Sequence, residues 1–279
     1  MDNFQLTFLL KIIGLGSASG LLYSNKTILA IGDNSGFLTE YNIETKKLTK
    51  HQLIDNAKVN IEKKLKPDFE SITQFENNIY IFGSGSTEKR NKMVQVDATT
   101  KKVIKTFDIS IVYLGLQSFS NINQDEFNIE GAICNGQQWF LINRGNTKKS
   151  KNIIFTINGK DLLDEIQIIA NKFKLPKIKG VKTSFTDAIL VNDKIYFLAA
   201  AENTDSTFLD GEILGSIIGC IDVKTMTLEY TKIISTKNKF EGIALYKQTE
   251  KEITFLLCED NDTDAFESSI YKLDISKSI

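Results

Sequence analysis

Apolar and polar residues alternate along this chain in short runs, and most runs end in Asn, Asp, Gly or Thr. The runs "ILAIG" at 28–32, "IYIFG" at 79–83, "WFLIN" at 139–143, "IYFLA" at 195–199 and "ITFLL" at 253–257 share this form. Runs of this length with period two, closed by turn residues, predict β-strands. Each follows a related signature: "SASGLLY", "FESIT", "IEGAI", "SFTDAIL" and "FEGIA". Aligning the signatures makes Ser19, Glu70, Glu130, Thr186 and Glu241 equivalent, at spacings of 51, 60, 56 and 55 residues. The turns "NIETKK", "DATTKK" and "DVKTMT" recur later in the repeat and support the register.

A fixed long period with several strands per unit predicts a ring of repeated sheets. Five units of four antiparallel strands predict an all-β, five-bladed β-propeller. The last unit lacks a fourth strand, while "FQLTFLLKII" at 4–13 precedes the first unit as a spare one. Pairing the spare strand into the last blade closes the ring and removes exposed sheet edges. The expected architecture is one domain over residues 1–279. Helix content is expected to be low, and "DLLDEIQIIANKFK" at 161–174 reads as strand plus loop.

Composition narrows the class of function. The chain has 279 residues, 42% hydrophobic and 25% charged, with a net charge of −1, as in a soluble globular protein. Near-neutrality gives no electrostatic reason to expect nucleic acid or a membrane surface as a partner. No apolar run approaches a bilayer span. The N-terminus lacks a basic start and reads as a strand rather than a signal peptide. The expected location is cytoplasmic, or exported if a leader has been removed. Cys134, Cys220 and Cys258 are odd in number and set in apolar strands, so buried reduced thiols are expected. The single histidine, His51, excludes a multi-histidine metal site and is expected at the surface. Trp139 alternates with Leu141 and belongs to the core.

Candidate chemistry lies at the repeat starts. The first strand of a propeller blade is innermost, so Ser19, Glu70, Glu130, Thr186 and Glu241 are expected around one mouth of the channel. Two carboxylates about 5 Å apart repel by roughly 3 kcal/mol at an effective dielectric near 20. Protonation or a cation relieves this, and a hard cation such as calcium suits carboxylate, hydroxyl and carbonyl oxygens. The alternative is that each glutamate hydrogen-bonds backbone amides of the neighbouring blade.

The second strand returns to the same mouth. Residues just beyond it are Asp33, Arg90, Arg144, Glu202, Glu259 and Asp260. This list holds both arginines of a chain with 32 lysines. A guanidinium fork grips phosphate or carboxylate through two parallel hydrogen bonds, so a small anionic ligand is expected. Salt bridges between blades are the other use for such residues. Ser84 and Ser86, in "GSGS" at Gly83–Ser86, add possible anion contacts, or form an ordinary loop. The insertion "ENTDSTFLDGEILG", with Asp205, Asp210 and Glu212, does not have EF-hand spacing and is expected at the rim of the pocket.

These motifs resemble the calcium-activated nucleotidases, or apyrases. The resemblance rests on the ring order Ser19, Glu70, Glu130, Thr186, Glu241, and on "GDNSGFLTEYN", "QQWFLINRGN" and "FEGIA". The chain also resembles an uncharacterised group of bacterial propellers and, more loosely, propellers labelled phytase-like or esterase-like, which share "EG" strand starts. The resemblance implies a five-bladed propeller with a central calcium held by the five ring positions. It departs from the nucleotidase pattern at "GSGSTEKR" and in the acidic fourth-blade insertion, where a substrate would sit.

Three functions follow as expectations. One is a calcium-dependent hydrolase of a phosphate-containing small molecule. In it Arg90, Arg144, Ser84 and Ser86 hold the substrate, and Asp33, Glu202 or Glu259 acts as general base. The others are a non-catalytic module for a small anionic ligand and a structural scaffold.

Overall fold

The computed structural model describes residues 3–145, 151–164, 167–203, 211–260 and 266–276. Strand β1 (Asn3–Ile13) comes first. Blade one is β2 (Ala18–Ser24), β3 (Thr27–Gly32), β4 (Phe37–Asn42) and β5 (Leu48–Gln52). Blade two is β6 (Phe69–Phe75), β7 (Asn78–Gly83), β8 (Lys92–Asp97) and β9 (Val103–Asp108). Blade three is β10 (Ile129–Cys134), β11 (Gln138–Asn143), β12 (Asn152–Asn158) and β13 (Gln167–Phe173). The two-residue β14 (Lys177–Ile178) leads into blade four: β15 (Val181–Val191), β16 (Lys194–Asn203), β17 (Glu212–Asp222) and β18 (Thr227–Ser235). Blade five is β19 (Lys239–Gln248), β20 (Glu252–Asp260), β21 (Glu267–Ser276) and β1. The first strand therefore does close the last blade, pairing antiparallel with β21 from Asn3↔Ser276 to Ile13↔Glu267.

Alternation along the strands sends apolar side chains into the spaces between blades. The buried apolar residues form five clusters, one between each pair of neighbouring blades. Trp139 is buried between blades two and three, edge-on to Tyr80 at 4.9 Å. The three cysteines are buried and unpaired. His51 is half-buried rather than fully at the surface, its Nε2 lying 2.6 Å from Glu40 Oε2. No helix among the described residues is long and apolar enough to cross a membrane.

One helix was not expected. Helix α1 (Ser110–Ser120) packs Val112, Tyr113, Leu116 and Gln117 inward, a helical spacing, and Tyr113 Oη donates to the Gly83 carbonyl at 2.7 Å. It ends on Asn121 in the left-handed region, φ 51°. Its "IVYL" start is as β-prone as any strand here, which hid it. The longest repeat spacing, 60 residues from Glu70 to Glu130, is where it is inserted. The segment at 161–174 does supply a strand, β13.

Candidate metal centre

The five ring positions share one backbone feature. In every innermost strand the pairing register slips at that residue: at Ala18/Gly20, Phe69/Ser71, Ile129/Gly131, Phe185/Asp187 and Phe240/Gly242. Ser19, Glu70, Glu130, Thr186 and Glu241 are thus the extra residues of five β-bulges. A bulge takes one residue out of the ladder and re-aims its side chain. In three blades the following residue is glycine, Gly20, Gly131 and Gly242, and at Gly242 the space is narrow. A Cβ on Gly242 would lie 2.6 Å from Cys258 Sγ and 3.0 Å from the Gly20 Cα of the next blade. The "EG" pair thus has two parts: the bulged acid is carried by the first residue, and the second lets neighbouring blades approach at the axis.

Three of the five side chains converge. Carboxylate oxygens of Glu70, Glu130 and Glu241, from blades two, three and five, lie within 4.8 Å of one another. The two hydroxyl positions are bonded to backbone: Thr186 Oγ1 donates to the Phe240 carbonyl at 2.7 Å, and Ser19 Oγ to the Ser17 carbonyl at 3.3 Å.

Arg144 lies against this group. Its Nη1 donates to Glu130 Oε1 at 3.1 Å and its Nη2 to Glu202 Oε2 at 2.8 Å, with Glu241 Oε1 3.7 Å from Nη1. It ties together carboxylates of blades three, four and five. Its Nε is buried with no acceptor among the described residues. Asn128 Nδ2 adds a 2.6 Å bond to Glu130 Oε1, and the Gly211 amide one of 2.8 Å to Glu202 Oε1. Lys239 Nζ is 3.0 Å from Glu241 Oε1, close enough to attract but not aligned as a hydrogen bond, so that buried oxygen receives none. No lysine or arginine nitrogen lies within 4 Å of the Glu70 carboxylate among the described residues. Among the described residues, four carboxylates, Glu70, Glu130, Glu202 and Glu241, therefore face two adjacent cationic side chains, with Lys66 acting on Glu70 from farther off. Asp260, 3.7 Å from Lys239, adds to the excess.

A second, outer group adjoins through Glu70. Oxygens of Asp33, Asp68 and Glu70 also lie within 4.8 Å of one another. Here the acids are matched by bases. Lys66 Nζ bonds Asp33 and sits 2.7 Å from Asp68 Oδ1; Arg90 Nη1 is 2.8 Å from Asp68 Oδ2. Ser84 Oγ donates to Asp68 Oδ2 at 2.5 Å, and Ser86 Oγ lies 3.3 Å from the same oxygen. Arg90 also donates to Ser86 Oγ at 2.6 Å and to the Lys63 carbonyl at 3.0 Å.

Burial and neighbouring charges shift carboxyls in both groups. Burial, then Asp68 and Glu130, push the Glu70 carboxyl well above the ordinary range. Burial raises Glu130 to about 7 although Arg144 opposes it. Burial also raises Asp33, against the pull of Lys66. At Glu202 burial acts upward too, but Arg144 and Lys239 outweigh it and hold the carboxyl below its usual range. Lys239 is disfavoured as a cation by burial, yet Glu241 and Asp260 hold it firmly charged.

Measured against the sequence expectations, Glu70, Glu130 and Glu241 meet as foreseen, and Asp33, Arg90, Arg144, Ser84, Ser86 and Glu202 lie around them. Glu259 lies toward the junction of blades four and five, accepting from Asn238 Nδ2 at 2.5 Å and Tyr271 Oη at 3.1 Å. The arginine forks are engaged by the chain's own acids, Asp68, Glu130 and Glu202. Asp205 and Asp210 lie outside the described residues, while Glu212 opens β17. Sequence reasoning missed Lys66, Asp68, Asp187 and Lys239. Asp187, fully buried, accepts from the Ile243 amide at 2.9 Å and pins blade four to blade five. A signal for two of the others was present. The position two residues before each ring residue is polar in all five repeats: Ser17, Asp68, Asn128, Ser184 and Lys239.

The chain belongs to DUF6929, a family of unknown function, whose model matches residues 14–275. No curated protein matches it. Among solved structures it is similar to the PQQ-bound aldose sugar dehydrogenase of Streptomyces coelicolor, at 11% identity and a TM-score of 0.52, covering 98% of both chains. It is also similar to a luciferin-regenerating enzyme, at 10% identity and a TM-score of 0.50, covering 97% of this chain and 95% of that one. The Malassezia sympodialis allergen Mala s 1 is similar at 8% identity and a TM-score of 0.51, covering 95% and 96%. At such identities the likeness is one of fold.

Proposed function

We propose that this DUF6929 propeller holds a calcium ion on Glu70, Glu130 and Glu241 and hydrolyses a phosphate-containing small molecule at the mouth beside it. The observation that carries the reading is the buried, uncompensated charge. Three carboxylates from three blades meet, one of their oxygens receives no hydrogen bond, and among the described residues the nearby acids outnumber the nearby bases. The donors are all hard oxygens, which fits calcium and not a thiolate- or imidazole-seeking metal. Ser19 and Thr186, at the other two ring positions, donate their protons to backbone carbonyls.

When bound, the ion supplies charge to polarise a phosphoryl oxygen and to acidify water. The chain's own residues do the rest. Asp33 is the best-suited base of the three considered. Its carboxyl is raised by burial and its Oδ1 receives no hydrogen bond, so it has capacity to take a proton from water. Glu202, held by Arg144 and the Gly211 amide, is a poor base and serves to orient Arg144. Lys66, Arg90 and Ser86 border the side on which phosphate charge would lie. Both guanidinium forks are already bonded to carboxylates, which favours a second reading in which the arginines tie the ring together and no phosphoryl group is turned over.

The test is calorimetric titration of the metal-stripped chain with calcium, followed by phosphate release from nucleoside di- and triphosphates and a phosphate-ester panel. Calcium binding with calcium-dependent release supports the hydrolase. Calcium binding with no release supports the second reading. Absence of calcium binding overturns the calcium site and the hydrolase with it.

A further inference from the structure

We propose that Asn128 supplies a further, neutral oxygen ligand to the axial cation through its side-chain carbonyl, an inference that rests on the calcium reading of Glu70, Glu130 and Glu241.

Asn128 lies two residues before the bulged Glu130, immediately ahead of β10. In each of the three glutamate blades the side chain at this place lies beside the ring carboxylate. An Asp68 oxygen is within 4.8 Å of one from Glu70, Asn128 Nδ2 donates to Glu130 Oε1 at 2.6 Å, and Lys239 Nζ is 3.0 Å from Glu241 Oε1. An acid, an amide and an ammonium thus occupy equivalent places in blades two, three and five. Of the three, only the amide offers a carbonyl oxygen without formal charge.

The backbone fixes Asn128 on both sides. Its N–H donates to Asn143 Oδ1 at 2.9 Å, and its carbonyl accepts from the Arg144 amide at 2.8 Å. The side chain spends its NH2 end on Glu130. The other end, Oδ1, is buried and receives no hydrogen bond among the described residues. One carbon separates the two ends of an amide, so this oxygen lies within an amide's width of the Glu130 carboxylate. Glu241 Oε1, on the triad itself, is a second buried oxygen that receives no hydrogen bond. A buried acceptor in this state calls for a water or an ion. Two of them, from two blades and attached to one acidic group, are met together by a cation. Calcium takes about six to eight oxygens, amide carbonyls among them, which is more than the triad supplies at one oxygen each. A neutral ligand raises that number without adding to the repulsion among the acids.

The experiment is titration of the metal-stripped wild type, Asn128→Ala and Asn128→Asp with calcium and with terbium. The luminescence lifetime of bound terbium in light and heavy water counts the waters on the ion. The expected result for Asn128→Ala is one more bound water than in wild type and calcium affinity about tenfold weaker. Asn128→Asp, which keeps an oxygen at the same place, is expected to keep the wild-type water count. An unchanged water count in Asn128→Ala overturns the ligand role and leaves the calcium site standing, with Asn128 only holding Glu130 in place. If wild type and variants alike bind neither calcium nor terbium, the site reading fails and this inference with it. Should both variants misfold, a calcium-bound crystal structure of the wild type decides. Asn128 Oδ1 on the ion supports the proposal, and an ion on the triad with Oδ1 bonded elsewhere overturns it.

Discussion

Two carboxylate groups share Glu70, and they differ in how their charge is met. In the outer group, Asp33 and Asp68 face Lys66 and Arg90, and two serine hydroxyls complete Asp68. In the inner group, Glu70, Glu130, Glu202 and Glu241 face Arg144 and Lys239 among the described residues, with Lys66 of the outer group also drawing on Glu70. Asp68, Glu130, Glu202 and Glu241 are buried while Asp33 and Glu70 are half-buried, so solvent screens the two groups only in part. The outer group is a closed salt-bridge network that can exist by itself. The inner one is left short of positive charge, and it adjusts by holding protons or by accepting an ion. Proximity of acids alone does not mark a metal site; the mismatch with the surrounding bases does.

Removing an arginine from each group gives the largest expected effects. Arg144→Ala leaves Glu130 and Glu202 buried without their guanidinium, at a cost of ~3–5 kcal/mol. Arg90→Ala leaves Asp68 with Lys66, Ser84 and Ser86, and costs about 2 kcal/mol. Urea unfolding in chelator reads both. Saturating calcium is expected to recover part of the Arg144 loss and none of the Arg90 loss. Equal recovery in the two variants would break the distinction between the groups.

Proton uptake comes next. Glu130 titrates near 7 in the folded chain against an ordinary 4.5, so the folded state holds the extra proton between those values. The sign follows: metal-free stability is full below about 4.5 and falls as pH rises through about 7, by ~3 kcal/mol at most. Glu70 is shifted in the same direction. Melting temperature in chelator across that window is expected to drop, and calcium is expected to flatten the curve by replacing the protons. Stability that rises with pH over the same range would mean the inner acids are already compensated.

Calcium itself is expected to stabilise the wild type by about 2.7 kcal/mol at a hundredfold excess over its dissociation constant. Glu70→Gln should abolish the response, since Glu70 belongs to the inner triad and has no ion pair of its own. Asp33→Asn should retain most of it. A thermal shift series with both variants separates the two groups directly. Loss in Asp33→Asn equal to that in Glu70→Gln would place the ion in the outer group.

How far this was legible in the sequence depends on period. The blades, their closure by β1 and the ring of Ser19, Glu70, Glu130, Thr186 and Glu241 follow from a repeat that recurs five times, so each copy checks the others. Helix α1 occurs once, its β-branched start has strand-like propensity, and nothing repeats it. The partners of the acids were harder for a different reason. Arg144 and Glu202 lie 58 residues apart and meet only through blade geometry, so no local pattern joins them. The arginines could be singled out by their rarity, but not matched to Asp68, Glu130 and Glu202. Lys66 is one lysine among 32 that only burial distinguishes, while Lys239 was marked in the sequence only by its place two residues before Glu241.

The smallest effects are expected where the ring carries hydroxyls. Thr186 donates to the Phe240 carbonyl at 2.7 Å inside a buried interface, so Thr186→Val should cost about 1 kcal/mol through the lost bond. Ser19→Ala should cost less, because its 3.3 Å bond to the Ser17 carbonyl is long. Neither residue contributes formal charge, so neither variant changes the shortage of positive charge around the glutamates. Calcium affinity measured by titration should therefore change by less than about tenfold in each, against complete loss in Glu70→Gln. A loss in Thr186→Val as large as that of a glutamate variant would shift the explanation from charge to the number of oxygen ligands, and with it the contrast between the inner and outer groups.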